Sequence, residues 1–228
     1  KLWPVGFNIE GYKSILSNKW ILTGYGNSLF YTVVGTFLNV LVTFMASYSL
    51  SRKDMYGHGL ITFFMVFTMW FGGGLIPTFL VVKKLGLVNT RMVLLLLGLV
   101  SVYNCIICRS FISSSIPYEL QEAARIDGAT NLQIFTKITL PMISPTVFYL
   151  VITGFIGAFK AYSDAVALFG TNLNAAGMNT IVGYIYDMLY GDSGGYPSYA
   201  SAAAIVLFAI VLTITCINLL VSKKHVHY

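Results

Sequence analysis

Two groups of residues in this sequence have types and spacing that could do chemistry. The first is Lys160 and Asp164, with Tyr162 and Ser163 between them, inside an otherwise apolar stretch. At i and i+4 of a helix the two charges share a face within pairing distance. A charge at the bilayer centre costs at least ~2.5–3.5 kcal/mol, so it marks either a path or a partner. Both readings stay open. With Asn172 and Asn174 just beyond, the set could contact a hydroxyl-rich ligand, or Lys160 could neutralise Asp164 or snorkel outward. The second group is the segment 116–128, which reads Ile-Pro-Tyr-Glu-Leu-Gln-Glu-Ala-Ala-Arg-Ile-Asp-Gly. It places Pro at a helix start, acids in the first turns where the dipole favours them, and Gly where a helix can stop in left-handed geometry.

Covalent chemistry finds no support. A phosphate-cradling loop would need Gly-x-x-x-x-Gly-Lys followed by Ser or Thr, and no glycine is placed that way. No paired His, Glu-x-x-His or Ser-Lys arrangement lies within an apolar stretch. His58, His225 and His227 have no acids or cysteines grouped with them for a metal. Cys105 and Cys108 spell C-x-x-C inside an apolar run, which suits membrane packing rather than a redox pair at a polar strand-to-helix turn.

The elements that carry these residues follow from composition. Of 228 residues, 57% are hydrophobic and 10% charged, against roughly 25% charged in an ordinary soluble domain. The mean hydropathy of +0.76 excludes a free soluble enzyme or a disordered tail. The net charge of +6 reflects few acids, and no more than two Lys or Arg stand together, so a nucleic-acid face is excluded. A bilayer core of roughly 30 Å needs about 20 apolar helical residues. Five stretches meet this, at about 29–50, 60–82, 92–108, 146–169 and 199–221. The fold class expected is all-α, a polytopic transmembrane helical bundle. Its parts are an outer N-terminal segment 1–28, a membrane domain 29–221 and a tail 222–228.

Lys and Arg counts split seven to six between the two sides, so they orient the bundle weakly. The connection 170–198 has no basic residue and carries Asp187 and Asp192, which reads as an outside loop. The tail and the polar loop 109–145 then lie inside. Five spans put the N-terminus outside, and with Lys1 in place of Met a sixth span is expected to precede it. Gly72-Gly73-Gly74 with Pro77 interrupts the second stretch, either as a cavity-lining kink or as a close-packing site. Asn39 and Asn104 could face one path or act as interhelical glue. Ala200 to Ala204 reads as a packing face.

A helix of about ten residues within 117–128 is only ~15 Å long. It cannot span, so it lies against something in the cytoplasm. Leu120, Ala123 and Ala124 form its apolar stripe, flanked by Glu119, Glu122 and Arg125. Here the residues match a pattern. Glu122-Ala123-Ala124, three residues, Gly128, nine residues, Ile138, one residue, then Leu140-Pro141 resembles the EAA signature of membrane subunits of binding-protein-dependent ABC importers. Asp127, Phe135 and Pro145 also stand where such permeases carry them. Asn27-Ser28, Leu50-Ser51-Arg52-Lys53 and the final 222–228 resemble the carbohydrate-uptake branch, that of the maltose and glycerol-phosphate permeases.

The resemblance implies a multi-pass permease subunit of the bacterial cytoplasmic membrane, translocating a di- or oligosaccharide. It is not itself an enzyme. It holds no cofactor, because ATP is bound by partner subunits. The implied partners are a second homologous permease, two cytoplasmic ATPases and an extracytoplasmic sugar-binding protein. The EAA helix would be the coupling helix that docks on an ATPase, with Ala123, Ala124, Gly128 and Ala129 at its contact face and Glu122 and Asp127 orienting or capping it. The helix that carries Lys160, Tyr162, Ser163 and Asp164 would border the substrate path, with Asn104 facing it. An importer of a non-sugar solute, an ion-driven secondary transporter and a membrane-embedded enzyme are the rival expectations.

Overall fold

The computed structural model describes residues 10–52, 55–159, 178–191 and 194–225, which form helices and no strand. After a short α1 (Glu10–Ser17), Asn18 starts the longest helix, α2 (Lys19–Ser51), its side chain accepting the Trp20 N–H at 2.9 Å. At 1.5 Å per residue α2 is ~50 Å long. It begins ten residues before the hydropathy-defined stretch, because Asn27 and Ser28 are buried protein-side rather than exposed.

α2 is the axis of the bundle, packed mainly against α10 (Ser144–Phe159) and α6 (Val102–Ser115). Ser28, Thr32, Thr36, Asn39, Thr43 and Ser47 recur every three or four residues along it, and all are buried. Many of its large apolar residues point outward, Phe37 at 67% and Met45 at 63% exposure, while Ile21 and Phe44 are buried near its two ends. Lipid tails are as apolar as Leu, so helices in a membrane associate through close packing of small residues and through hydrogen bonds. Ser47 supplies one such bond, its hydroxyl donating to the Cys105 carbonyl at 3.0 Å. Cys105 and Cys108 are free thiols at 1% and 0% exposure, small packing residues as the sequence suggests.

The second apolar stretch departs from a straight span. It comprises α3 (His58–Trp70) and α4 (Leu75–Lys84), whose axes turn by 118° at the three glycines. Gly74 has φ +80° and ψ 178°, a conformation closed to residues with a Cβ. Pro77 falls in the first turn of α4, where its missing N–H costs nothing. Among the described residues neither Gly72 nor Gly74 has a neighbour that a Cβ would meet, and Gly73 would meet only Pro77 of the same break, so within this chain the triplet serves the turn.

α5 (Arg91–Leu97) and α6 (Val102–Ser115) form the third stretch, bent by 46°. The fourth begins with α10 (Ser144–Phe159) and the last is α12 (Pro197–His225). Between them the connection read as a loop contains α11 (Ile181–Tyr190), capped by Thr180 through the Gly183 N–H. Ile181 and Tyr184 pack with Ile21, Ala202 and Ala203, which confirms the alanine run as a packing face. Asn27 donates to the Asn179 carbonyl at 3.0 Å, and the Ile181 N–H donates to Ser28 at 3.1 Å.

α2 and α10 pack closely at Gly154, where an added Cβ would stand 2.9 Å from Thr36 Cγ2. Gly154→Leu is expected to lower stability by ~1–3 kcal/mol, the usual cost of overpacking. Gly157→Ala, on the same helix with open space around it, should melt like the wild type. Thermal unfolding of the detergent-solubilised protein reads the difference.

Candidate functional site

The segment between α6 and α10 is built from local rules. Pro117 precedes α7 (Tyr118–Ile126), with Glu119 in its first turn and Arg125 in its last, both complementing the helix dipole. Asp127 is the C-cap and Gly128 follows at φ +82°. The Gly128 N–H donates to the Arg125 carbonyl at 3.0 Å and the Ala129 N–H to the Ala124 carbonyl at 2.9 Å. This pair of bonds is the Schellman closure, which satisfies carbonyls that the helix end would otherwise orphan. Thr130 at once opens α8 (Asn131–Ile134) with a capping box: its N–H donates to Gln133 Oε1 at 2.8 Å, and the Gln133 N–H donates back to Thr130 at 3.3 Å.

The chain then widens into a π turn, Phe135–Thr139, before α9 (Leu140–Met142). Pro141 explains the widening, since its ring and missing N–H are incompatible with a regular α turn there. A 74° bend at Ile143 leads into α10, with Pro145 in its first turn.

Both roots of this connector sit in one apolar cluster. Ile116, just before Pro117, and Ile143, just before α10, are buried together with Phe44 of α2, Cys108 and Ile112 of α6, and Leu150 of α10. Phe135 adds an edge-to-face contact with Tyr48 of α2, centroids 5.3 Å apart. Glu122, Ala123, Asp127 and Gly128 are exposed, whereas Ala124 and Ala129 are half-buried. The carboxylate of Glu122 has no hydrogen bond or ion pair among the described residues. The C-terminal end of α7 is closed by the backbone N–H groups of Asp127, the C-cap, and of Gly128 and Ala129.

A cavity of about 410 Å³ lies in the middle of the bundle, between α2, α5, α6 and α10. Tyr31, Thr36 and Asn39 line it from α2, Asn104 from α6, and Thr153 and Ala158 from α10. Its polar wall exists because the third stretch is broken. The Gly98 and Leu99 carbonyls, freed by the break between α5 and α6, accept hydrogen bonds from Asn39 Nδ2 at 2.8 and 3.2 Å. On the other side of the break, the Ser101 hydroxyl accepts the Asn104 N–H at 3.3 Å and caps α6. Irregular backbone at membrane depth is tolerated where protein satisfies it in this way.

The structure therefore brings Asn39 and Asn104 to one cavity, the first as glue across the break and both as wall. Lys160, Tyr162, Ser163 and Asp164, with Asn172 and Asn174, lie outside the described residues. Sequence reading missed Tyr31, Thr36 and Thr153 as cavity residues. For Thr36 the signal was the three- or four-residue spacing of small polar positions on α2, which a uniform hydropathy window hides; Tyr31 and Thr153 had none.

Residues 21–225 match the family described as binding-protein-dependent transport system inner membrane component. The polygalacturonan/rhamnogalacturonan transport system permease protein YtcP of Bacillus subtilis is 41% identical over 146 residues, which is 64% of this chain and 51% of that one. The chain thus spans about half the length of that curated relative. The diacetylchitobiose uptake system permease protein DasC of Streptomyces coelicolor is 26% identical over 95% of this chain and 78% of its own. Among solved structures, a bacterial ABC transporter involved in import of the acidic polysaccharide alginate has a chain that superposes with a TM-score of 0.82. That chain is 28% identical, over 98% of this chain and 81% of its own.

Asn39→Leu removes the donor that holds two freed carbonyls, and leaving buried carbonyls unpaired costs ~1–3 kcal/mol. The variant is expected to melt earlier than wild type, with Asn104→Leu close to wild type, because the Asn104 side chain holds no described hydrogen bond. Paired melting curves in the same detergent check this.

Proposed function

The chain belongs to the inner membrane components of binding-protein-dependent transport systems, and from that premise we propose that it is a permease subunit of an ATP-driven importer for a carbohydrate, a di- or oligosaccharide. The relatives support the substrate class, being named for uptake of galacturonan-type polysaccharides and diacetylchitobiose. The observation that carries the mechanical part is the rooting of both ends of the α7 connector in the Ile116–Ile143 cluster. A short helix closed by a Schellman motif and held at both roots transmits displacement as a solid body.

In this reading α7 and the loop 109–145 face the cytoplasm and dock on an ATPase through the exposed Glu122, Ala123, Asp127 and Gly128. A second, homologous permease completes the path beside the central cavity, and two ATPases hydrolyse ATP below. A solute-binding protein delivers the sugar at the outer side, where α11 packs on α2 and α12. The membrane is the cytoplasmic membrane of a bacterium, crossed several times. The chain performs no hydrolysis, so its role is to carry the path and to couple it. Lys160, Tyr162, Ser163 and Asp164 continue the chain beyond Ala158, a wall residue of the cavity, which supports placing them along the same path.

Affinity purification of the assembled particle is expected to recover an ATPase and a sugar-binding protein as co-purifying chains. A particle holding this chain alone, with uptake that collapses with an ion gradient, would overturn the reading. Gly128→Val forces a β-branched residue into left-handed backbone at roughly 1–2 kcal/mol or more. It is expected to abolish uptake and ATPase recovery while the protein still inserts. Lys160→Ala and Asp164→Ala are expected to change uptake more than abundance. A fall in abundance alone would make the pair structural.

A further inference from the structure

Two hydroxyls in the wall of the central cavity are left without a partner. Tyr31 and Thr36 line it from α2 at 5% and 4% exposure, and neither hydroxyl makes a hydrogen bond among the described residues. A helical threonine can satisfy its hydroxyl on the carbonyl one turn back. Thr62, Thr153 and Thr215 do so here, at 2.7, 2.9 and 2.8 Å. Thr36 does not, and its side chain is pressed instead against Gly154 of α10, where an added Cβ would stand 3.3 Å from Oγ1. Thr32 and Thr43 are also enclosed and unpaired, but they stand outside the described wall of the cavity and carry no inference. An enclosed hydroxyl without a partner costs ~1–3 kcal/mol. At Tyr31 and Thr36 an occupant of the cavity can remove that cost.

The rest of the lining says what kind of occupant fits. Asn104 of α6 is half-buried there and offers amide donors and an acceptor. Leu94, Leu95 and Leu97 of α5 add apolar surface, and no charged side chain stands in the described wall. A wall that joins hydroxyls and an amide to leucines suits a ligand that is itself two-faced. A pyranose ring is such a ligand, with hydroxyls around its edge and C–H groups across its faces. Water meets the polar groups but gains nothing from the leucines. At about 410 Å³ the cavity falls within the range of small-ligand pockets, roughly 300–1,000 Å³.

We propose that the central cavity is a subsite for one neutral sugar unit of the cargo, with Tyr31 Oη and Thr36 Oγ1 as hydrogen-bond partners of its hydroxyls and the α5 leucines against a C–H face. This rests on the importer reading and adds to it a station inside this chain. Because the two hydroxyls hold nothing within the chain, removing them costs the ligand its partners and costs the fold nothing.

The test uses the particle as purified from its membrane, washed free of soluble chains and held in nanodiscs. Saturation-transfer NMR titrates maltose, cellobiose and diacetylchitobiose, three neutral disaccharides, against it. Tyr31→Phe and Thr36→Val each remove one hydroxyl and keep the shape of the side chain. Each is expected to raise the apparent Kd roughly three- to tenfold, the worth of one neutral hydrogen bond. Thr36→Ser keeps the hydroxyl and should bind like the wild type, as should Thr215→Val, whose hydroxyl is bonded within its own helix. Without sugar, Tyr31→Phe and Thr36→Val are expected to melt at or above the wild-type temperature. Earlier melting with unchanged Kd makes the hydroxyls structural and overturns the proposal. Equal Kd for wild type and the double variant leaves the cavity with ordered water only, and saturation transfer to none of the three sugars leaves it without a sugar; either result overturns it as well. Should Tyr31→Phe fail to fold, Thr36→Val against Thr36→Ser decides. Failure of the importer reading shows separately, as a particle without an ATPase, because transport is not the readout.

Discussion

Ile116 and Ile143 are 27 residues apart in the chain, yet they close on the same few side chains, and that closure constrains everything between them. The connector leaves the cluster at Pro117 and re-enters it at Ile143, so its helices are a loop pinned at a single base. Packed interiors have the density of organic crystals and deform by switching rather than by stretching. A force on α7 is therefore delivered to Phe44 of α2, Cys108 and Ile112 of α6, and Leu150 of α10 together. The Tyr48–Phe135 contact braces the far side of the same base.

Above that base the packing rule changes. In the lipid-embedded part the bundle is held by small and polar residues of α2 facing inward, with Phe37 and Met45 facing out. Contacts of this kind fix distance tightly where glycine permits it, as at Thr36 and Gly154, and leave room where a helix is broken, as between α5 and α6. The central cavity is that room. Its wall helices α2, α6 and α10 are the same three that meet in the cluster below, so reorienting them at the base must reshape the cavity. The α5 half-helix is tied to this motion through the Asn39 amide and the Gly98 and Leu99 carbonyls.

What the sequence disclosed and what it withheld divide along the range of the forces involved. The α7 helix, its proline start and its glycine stop were legible because caps are set by residues within one turn of each other. The break at Gly72 to Gly74 was legible too, but its 118° angle was not, since three glycines permit many angles and say which is taken only through distant packing. α11 was hidden because hydropathy smoothed a real helical pattern, Ile181, Tyr184, Ile185 and Met188, into a polar-looking connection. The bond from Asn39 to Gly98 spans 59 residues, and nothing local announces it.

The chemistry of the central wall also bears on what the proposed importer can select. Its described lining is neutral: hydroxyl and amide groups on Tyr31, Thr36, Asn39, Asn104 and Thr153 stand among the apolar Leu94, Leu95 and Leu97. Neutral donors and acceptors match sugar hydroxyls of either configuration and discriminate weakly, because each exchange of a water hydrogen bond for a protein one yields only ~0.5–1.5 kcal/mol. A uronate would find no cation in that lining, and burying an unpaired carboxylate costs far more than a hydroxyl contact returns. Selection for an acidic chain would therefore fall to groups beyond Ala158, to the facing permease, or to the protein that delivers the sugar. A wall that binds its cargo loosely suits a path, since a ligand held tightly at every station would not leave.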